Sequence, residues 1–173
     1  MARGMMTALV GAAVASCVVV GSVEAQPRGG GDPFTGVWKI NVERSVYIPG
    51  PRPPADLVTM YQFAPLPDGS TRFTLTSSNA AGDLTIQVGV FRIDGRPYPV
   101  YTVDAITDLI SSSKPTNLTR SYRRIDANTV EFTGYTDGVA GTPIVRQMQP
   151  DGNTYVQRPT SGNGAVLVLE RVR

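Results

Sequence analysis

Turn-forming residues recur at short, regular intervals along most of this chain, and this spacing limits the possible folds more than any other feature. Gly, Asn and Asp accept the positive-φ conformations of tight hairpins at little steric cost. Between them, no window carries apolar residues at helical spacing with capping residues; the best candidate, Val103–Ser112, is weak. An all-β chain is therefore expected. Its turns are Pro67–Ser70, Ala81–Asp83, Asp94–Arg96, Asp126–Asn128, Asp137–Gly138 and Pro150–Asn153.

Candidate strands lie between and beside these turns. A sheet of so many strands joined mostly by hairpins has two exposed edges unless it closes on itself. The sequence therefore predicts a single antiparallel up-and-down β-barrel of about 8–10 strands, with a two-sheet sandwich as the alternative. The predicted strands are Gly36–Val42, Leu57–Ala64, Thr71–Ser77, Leu84–Arg92, Leu118–Ile125, Thr129–Thr136, Thr142–Gln149, Thr154–Arg158 and Ala165–Val172, with Tyr98–Tyr101 as a possible addition.

Alternation within the strands predicts which side chains face the core. It is clearest in Leu84–Arg92, where Leu84, Ile86, Val88 and Val90 share one face and Thr85 and Gln87 share the other. We expect the apolar face to be the core face. In the strand before it, Phe73 and Leu75 alternate with polar residues in the same way.

The N-terminal residues indicate export. Arg3 is followed by an uncharged, largely apolar run, Gly4–Val23, and then by small residues that end at Ala25. This pattern is typical of a signal peptide, residues 1–25, cleaved after Ala25 to give a periplasmic or secreted protein. Residues 26–33 are then a flexible glycine-rich linker, and residues 34–173 form the barrel domain.

Two other interpretations of the leader stay open. It could be retained as a membrane anchor, although the apolar run is only marginally long enough to span a bilayer. Val14–Cys17 also resembles a lipobox, in which Cys17 would be acylated and become the N-terminus. After cleavage at Ala25 we expect no stable transmembrane segment.

Cysteine and histidine usage restricts the chemistry. Cys17 is the only cysteine, so the processed chain has no disulfide, and the chain contains no histidine. Ser-His-Asp and Cys-His catalytic sites are therefore excluded, and a zinc site would need carboxylates alone. Asp104 and Asp108 are four residues apart and could in principle do acid–base work, but spacing alone is weak evidence and we interpret them as part of a solvated loop. We assign no catalytic residue, no metal and no cofactor.

Charge gives no indication of a nucleic-acid partner. The net charge is +2, and positive and negative residues are interspersed without a basic block. A nucleic-acid-binding surface normally shows as such a block or stripe.

The opening Asp32–Asn41 resembles the first strand of lipocalin-like and fatty-acid-binding-protein-like barrels, the calycin group, through Gly36-Val37-Trp38. In that group the tryptophan closes one barrel end and a basic residue of the last strand packs across its ring. The resemblance implies that Arg171, which shares a strand face with Leu167 and Leu169, lies against Trp38. Gly36, Trp38 and Arg171 are thus expected to close the barrel.

The chain also resembles a set of uncharacterised exported bacterial proteins of lipocalin-like layout. The shared segments are the opening, the linker Pro49-Gly50-Pro51, the segment Arg123–Glu131 and the closing Glu170-Arg171. The lipocalin disulfide is missing, and a proline-rich stretch replaces the helical lid of fatty-acid-binding proteins. We expect this stretch to strap one barrel end with Tyr47 and Ile48 tucked inward.

Aromatic strand residues supply the candidate ligand contacts. Arg120, Tyr122 and Arg124 share one face of a strand, so at least one guanidinium is expected to approach the interior with Glu131 across the hairpin as its partner. The ligand-binding candidates are Tyr61, Phe63, Phe73, Tyr122, Arg124 and Phe132.

Three functions are compatible with this sequence. The first is binding of a small apolar or amphipathic molecule inside the barrel. The second is a filled barrel that acts through surface protein–protein contacts in the cell envelope. The third, an enzyme such as an isomerase, cyclase or hydrolase, ranks last because the commonest general base, histidine, is absent.

Overall fold

A computed structural model describes residues 31–48, 50–104, 113–162 and 164–173 of the chain. The signal-peptide residues, the lipobox cysteine and Asp108 lie outside these residues. The strands of the described part are β1 (Gly36–Val46), β2 (Val58–Pro65), β3 (Thr71–Ser78), β4 (Leu84–Phe91), β5 (Pro97–Asp104), β6 (Ser113–Asp126), β7 (Thr129–Thr136), β8 (Val139–Ala140), β9 (Ile144–Met148), β10 (Thr154–Pro159) and β11 (Val166–Arg171).

Ten of these strands form a closed ring. Each pairs antiparallel with its neighbour in sequence, β7 pairs with both β6 and β9, and β11 returns to pair with β1. The short β8 pairs only with the end of β7. The predicted up-and-down barrel is therefore confirmed, and the two-sheet sandwich is wrong.

The turn chemistry explains why the hairpins form where they do. Asp137 and Gly138 both have positive φ, 51° and 78°, between β7 and β8. Positive φ at both central residues is the signature of a type I′ turn, whose twist matches that of the flanking strands. The dipeptide Asp-Gly is one of the few that adopts it at low cost.

Several boundaries differ from the prediction. β1 continues to Val46 and β6 begins at Ser113, and β5 spans a longer range than the suggested Tyr98–Tyr101. Residues 105–112, most of the weak helical candidate, lie outside the described part. The expectation that Ile48 is tucked inward is wrong, because its side chain is 54% exposed. Within the described residues, no helix has the length and hydropathy needed to cross a membrane.

The face prediction for β4 is also wrong. Phe91 is 5% exposed, whereas Val90 is 46% and Leu84 is 37% exposed. The register places Gly89 opposite Phe73, and Phe73 is 1% exposed, so the odd-numbered residues of β4 face inward. The apolar set Leu84, Ile86, Val88 and Val90 therefore lies on the outside of the barrel, and we call it the outer β4 stripe.

The core is built from large inward side chains that meet in register. Tyr61 pairs with Leu75 and Phe63 with Phe73 across β2 and β3. On the far side of the ring, Tyr122 pairs with Phe132 and Tyr155 with Leu169. The largest fully buried side chains are Trp38, Tyr122, Tyr155, Phe73 and Leu169.

Candidate functional site

One end of the barrel is closed by Trp38 and Arg171. These residues are opposite partners on β1 and β11, and the guanidinium carbon lies 4.2 Å from the centre of the Trp38 ring. Burial lowers the pKa of Arg171, but a guanidinium stays charged at any ordinary pH. A cation in this position over an aromatic face contributes about 1–2 kcal/mol when partly desolvated.

A short segment, Asp32–Thr35, lies across this end, and we call it the N-terminal strap. Arg171 donates hydrogen bonds to the carbonyl oxygens of Thr35 (2.7 Å) and Pro33 (3.0 Å). The indole nitrogen of Trp38 donates to the carbonyl oxygen of Phe34 at 2.8 Å. The sequence analysis placed the boundary between the linker and the barrel domain between residues 33 and 34. This position lies within the strap, which is hydrogen-bonded to the barrel.

Two side chains of the strap fix its position further. Asp32 forms an ion pair with Arg124 of β6, and it also accepts the backbone N–H of Phe34 at 2.9 Å. The ring of Phe34 is 5% exposed and meets Tyr155 edge-on, with the ring centroids 5.5 Å apart. Arg124, a predicted ligand contact, therefore holds the strap.

The five aromatic ligand-binding candidates come together inside the barrel, and each is at most 8% exposed. Tyr61, Phe63 and Phe73 form one group, with neighbouring ring centroids 5.9–6.4 Å apart. Tyr122 and Phe132 stack at 5.8 Å on the other side of the barrel. These rings fill most of the interior with one another.

A cleft remains between the N-terminal strap and this aromatic interior. Its volume is about 20 Å³, which is room for roughly one water molecule. Its strap side is formed by Asp32, Phe34 and Thr35, and its barrel side includes Phe63, Phe91 and Arg146.

Arg146 of β9 is the residue that the sequence reasoning missed. Its side chain is only 2% exposed. Four aromatic rings surround the guanidinium carbon, at centroid distances of 4.4 Å (Phe132), 4.8 Å (Phe63), 5.7 Å (Tyr61) and 5.9 Å (Tyr122). One signal was available, because Arg146 occupies the same strand face as the apolar residues Ile144 and Met148.

The hydrogen bonding of Arg146 is incomplete. Its Nε donates to the side-chain oxygen of Gln157 at 3.1 Å, but its Nη2 has no partner among the described residues. No carboxylate of the described residues forms an ion pair with it. An unpaired buried charge costs several kcal/mol, and desolvated cation–π contacts return about 2 kcal/mol or more.

The hydroxyl of Tyr155 is a second buried polar group without a hydrogen-bond partner in the described residues. Tyr155 is opposite Met148 while Gln157 is opposite Arg146, so Tyr155 and Arg146 are diagonal neighbours on the inner face of β9 and β10. Burial raises the pKa of Tyr155 above its ordinary value of 10.0, while the charge of Arg146 lowers it by a smaller amount. The phenol therefore stays protonated and can donate.

Another inward arginine, Arg120 of β6, has a hydrogen-bond partner. Its guanidinium carbon lies 4.9 Å from the centre of Phe73, and its Nη2 donates to the side-chain oxygen of Gln87 at 2.9 Å. The predicted partner, Glu131, instead pairs with Arg123 at 2.9 Å. Arg123 points to the opposite side of β6, so the expectation that Glu131 neutralises an inward arginine is wrong.

This arrangement is suited to binding. Arg146 presents an N–H donor beside the cleft, and the surrounding rings present apolar faces. In the described residues, no three Asp, Glu, His or Cys side chains come together as a possible metal site. The chain matches no protein-family model and no curated protein.

Proposed function

We propose that this chain is an exported lipocalin-like protein that binds a small amphipathic molecule at the strap end of its barrel. The observation that carries the proposal is the cleft between the N-terminal strap and the aromatic interior, with buried Arg146 on its barrel side. Apolar and aromatic walls with a small number of polar groups are typical of ligand sites.

The size of the cleft determines how such a ligand would bind. A volume of about 20 Å³ accepts one water-sized group, so only the polar head of a ligand fits without movement. An apolar tail needs the place of the Phe34 ring, and where the backbone of Phe34 moves with its ring, the hydrogen bond from Trp38 to the Phe34 carbonyl oxygen is lost. Each hydrogen bond lost in this way reduces the binding free energy by about 0.5–1.5 kcal/mol.

Trp38 provides a direct reporter of this binding, because it is the only tryptophan of the chain. We expect short fatty acids, aromatic acids or their neutral analogues to change its emission saturably, with one ligand per chain by native mass spectrometry. If no member of this panel changes the emission or the mass at concentrations up to about 1 mM, the weak limit of useful affinity, the proposal is wrong.

A matched pair of variants locates the site. Phe34→Leu shortens the side chain that covers the cleft, and we expect it to tighten binding. Phe73→Leu makes the same change at a buried ring that does not line this cleft, and we expect unchanged affinity. Equal effects of the two variants, measured on folded protein, would place the binding elsewhere.

The export part of the proposal rests on the leader and has its own test. Expression with the native leader, followed by mass analysis of the mature chain, is expected to give Gln26 as the first residue. An acylated N-terminal Cys17 would show the lipoprotein alternative instead, and an intact Met1 in a membrane fraction would show a retained anchor.

The outer β4 stripe favours a second candidate function, contact with another protein in the cell envelope. Val88 of the stripe pairs with Tyr101 of β5, which extends the apolar surface. Apolar patches on the outside of a soluble domain often mark interaction sites. A photo-crosslinker at position 90 should capture a discrete partner that one at position 123 does not, and the purified partner should bind wild type but not Val90→Lys.

A further inference from the structure

The outer wall of the barrel formed by β2–β5 carries almost no charge. Among its outward side chains that the structure describes, Arg72 of β3 is the one charged group. The centre of the wall is apolar, with the outer β4 stripe flanked by Met60 of β2 and Tyr101 of β5. Such a wall gains free energy when another apolar surface covers it. The identity of that surface is a question that rests on the second candidate function.

The two ends of this wall carry opposite charges. At the strap end, Arg72 is exposed and forms no ion pair with any described residue. At the opposite end, Asp56 and Asp83 are exposed and likewise form no ion pair within the described part of the chain. Both carboxylates are fixed at the β3–β4 turn. Asp56 accepts the backbone N–H of Ala80 at 2.9 Å, and Asp83 accepts the side-chain amide of Asn79 at 2.9 Å.

Neighbouring charges do not change this pattern. At the strap end, Arg92 pairs with Asp68 at 3.2 Å, and the β4–β5 turn carries one residue of each charge. At the opposite end, Arg52 pairs with Glu43 at 3.1 Å. The described residues therefore leave the wall positive at the strap end and negative at the other.

A second copy of the chain fits this charge pattern. Two copies can pack wall to wall about a two-fold axis that crosses the middle of β4, so that the positive end of each wall meets the negative end of the other. Val90 then lies against Leu84 of the second copy. Arg72 of each copy lies beside Asp83 and Asp56 of the other. An axis parallel to the strands would instead bring like charges together, which disfavours that orientation.

We infer that the outer β4 stripe binds a second copy of this chain, in a two-fold dimer with the strap ends at opposite sides. Leu84 and Val90 are six residues apart, so the wall is about 20 Å long and, over four strands, about 15 Å wide. A face of about 300 Å² is smaller than the roughly 800 Å² per partner of a standard interface. The dimer is therefore weak, with an expected dissociation constant of about 10–100 μM.

Charge reversal at the two ends tests both the dimer and its orientation. Arg72→Asp places an acid beside Asp83 of the second copy, and Asp83→Arg places a base beside Arg72. Each variant alone is expected to raise the dissociation constant, measured by analytical ultracentrifugation, by about tenfold or more. An equimolar mixture of the two variants is expected to form heterodimers with nearly wild-type affinity, because Arg72 and Asp83 positions then carry opposite charges at both contacts. This recovery also requires that both variants are folded.

Arg158→Asp is the matched control. Arg158 is an exposed arginine of β10, on the side of the ring opposite β4, so its reversal should leave the dissociation constant unchanged. Two results would overturn the inference: a wild type that stays monomeric up to about 1 mM, the weak limit of useful affinity, or a mixture that associates no more tightly than the separate variants.

The photo-crosslinker at position 90 separates this inference from the second candidate function. A product of twice the mass of the chain, joined near Leu84, supports the dimer. A product with a different protein overturns the dimer and leaves the second candidate function in place. The absence of any product contradicts both.

Discussion

Trp38 and Arg171 lie directly opposite each other on β1 and β11, with the guanidinium carbon 4.2 Å from the centre of the indole ring. The same guanidinium donates to two carbonyl oxygens of the N-terminal strap. One side chain therefore joins the last strand, the first strand and the segment before it. The position of the strap over the cleft depends on this contact.

Arg171→Met should destabilise the protein. The loss is expected to be about 2–4 kcal/mol, because a cation–π contact and charged hydrogen bonds to carbonyl groups are removed together. Chemical denaturation measures it. Arg158→Met, at an exposed position, is the control and should change stability by less than about 0.5 kcal/mol. Similar losses for the two variants would show that Arg171 does not hold the barrel end.

Gly36→Ala should also destabilise the barrel end. Gly36 has φ +126°, and a Cβ atom there would lie 2.6 Å from Nη1 of Arg171. Backbone strain of this kind costs about 1–3 kcal/mol, and displacement of the guanidinium adds to it. The control is Gly134→Ala, where a Cβ meets nothing within 4 Å. Because the two residues touch, the double variant Gly36→Ala/Arg171→Met should lose less stability than the sum of the single changes.

Substitutions on β4 test which of its faces is the core. Val90→Lys should change stability by less than about 0.5 kcal/mol, because Val90 faces outward and is 46% exposed. Phe91→Ala should cost about 3–5 kcal/mol, as expected for a buried aromatic ring. The opposite ranking in thermal denaturation would restore the face assignment made from the sequence.

The turn at Asp151 should contribute to the pH dependence of stability. Hydrogen bonds from the Thr154 side chain and from backbone N–H groups hold the pKa of Asp151 below its ordinary value of 3.8. A lowered folded-state pKa means that the unfolded state binds the proton more readily, so the contribution is present above pH 3.8 and is lost as the pH falls through the folded pKa. Wild type should therefore exceed Asp151→Asn in free energy of unfolding at about pH 7, and the difference should shrink at about pH 2. A difference that stays constant with pH would contradict this.

The sequence predicted the barrel because its turns and its lack of helical periodicity both follow local rules. The inward and outward faces of β4 were harder to predict from the sequence. The pairing register with β3 decides which residues face the core, and the alternation of valine, isoleucine and leucine does not. Gly89 and Gln87 provide the reason: a Cβ at Gly89 would lie 3.1 Å from the carbonyl oxygen of Pro99, and Gln87 accepts a hydrogen bond from Arg120. Such partners come from distant parts of the chain and leave no local pattern.

The candidate site shows the same limit. The aromatic residues were found because they lie on strands, whereas Arg146 was missed because arginine on a strand is usually at the surface. Only the closed ring brings it among four rings from β2, β6 and β7.

Replacing Arg146 and its partner together tests whether the guanidinium serves the fold or a ligand. The variant Arg146→Met/Gln157→Leu removes an unpaired buried charge and leaves no orphaned amide. Hydrophobic replacement of buried charges is often neutral or stabilising by about 1–4 kcal/mol, and we expect this result in chemical denaturation. A loss of more than about 3 kcal/mol would show that Arg146 is a structural element of the core.

A crystal structure of the protein with hexanoate is the decisive measurement for the proposed ligand site. We expect hexanoate in the cleft, with its polar head beside Arg146 and its apolar tail where the ring of Phe34 now lies. A cleft that contains only water, with hexanoate bound outside the barrel or absent, would contradict the proposed function.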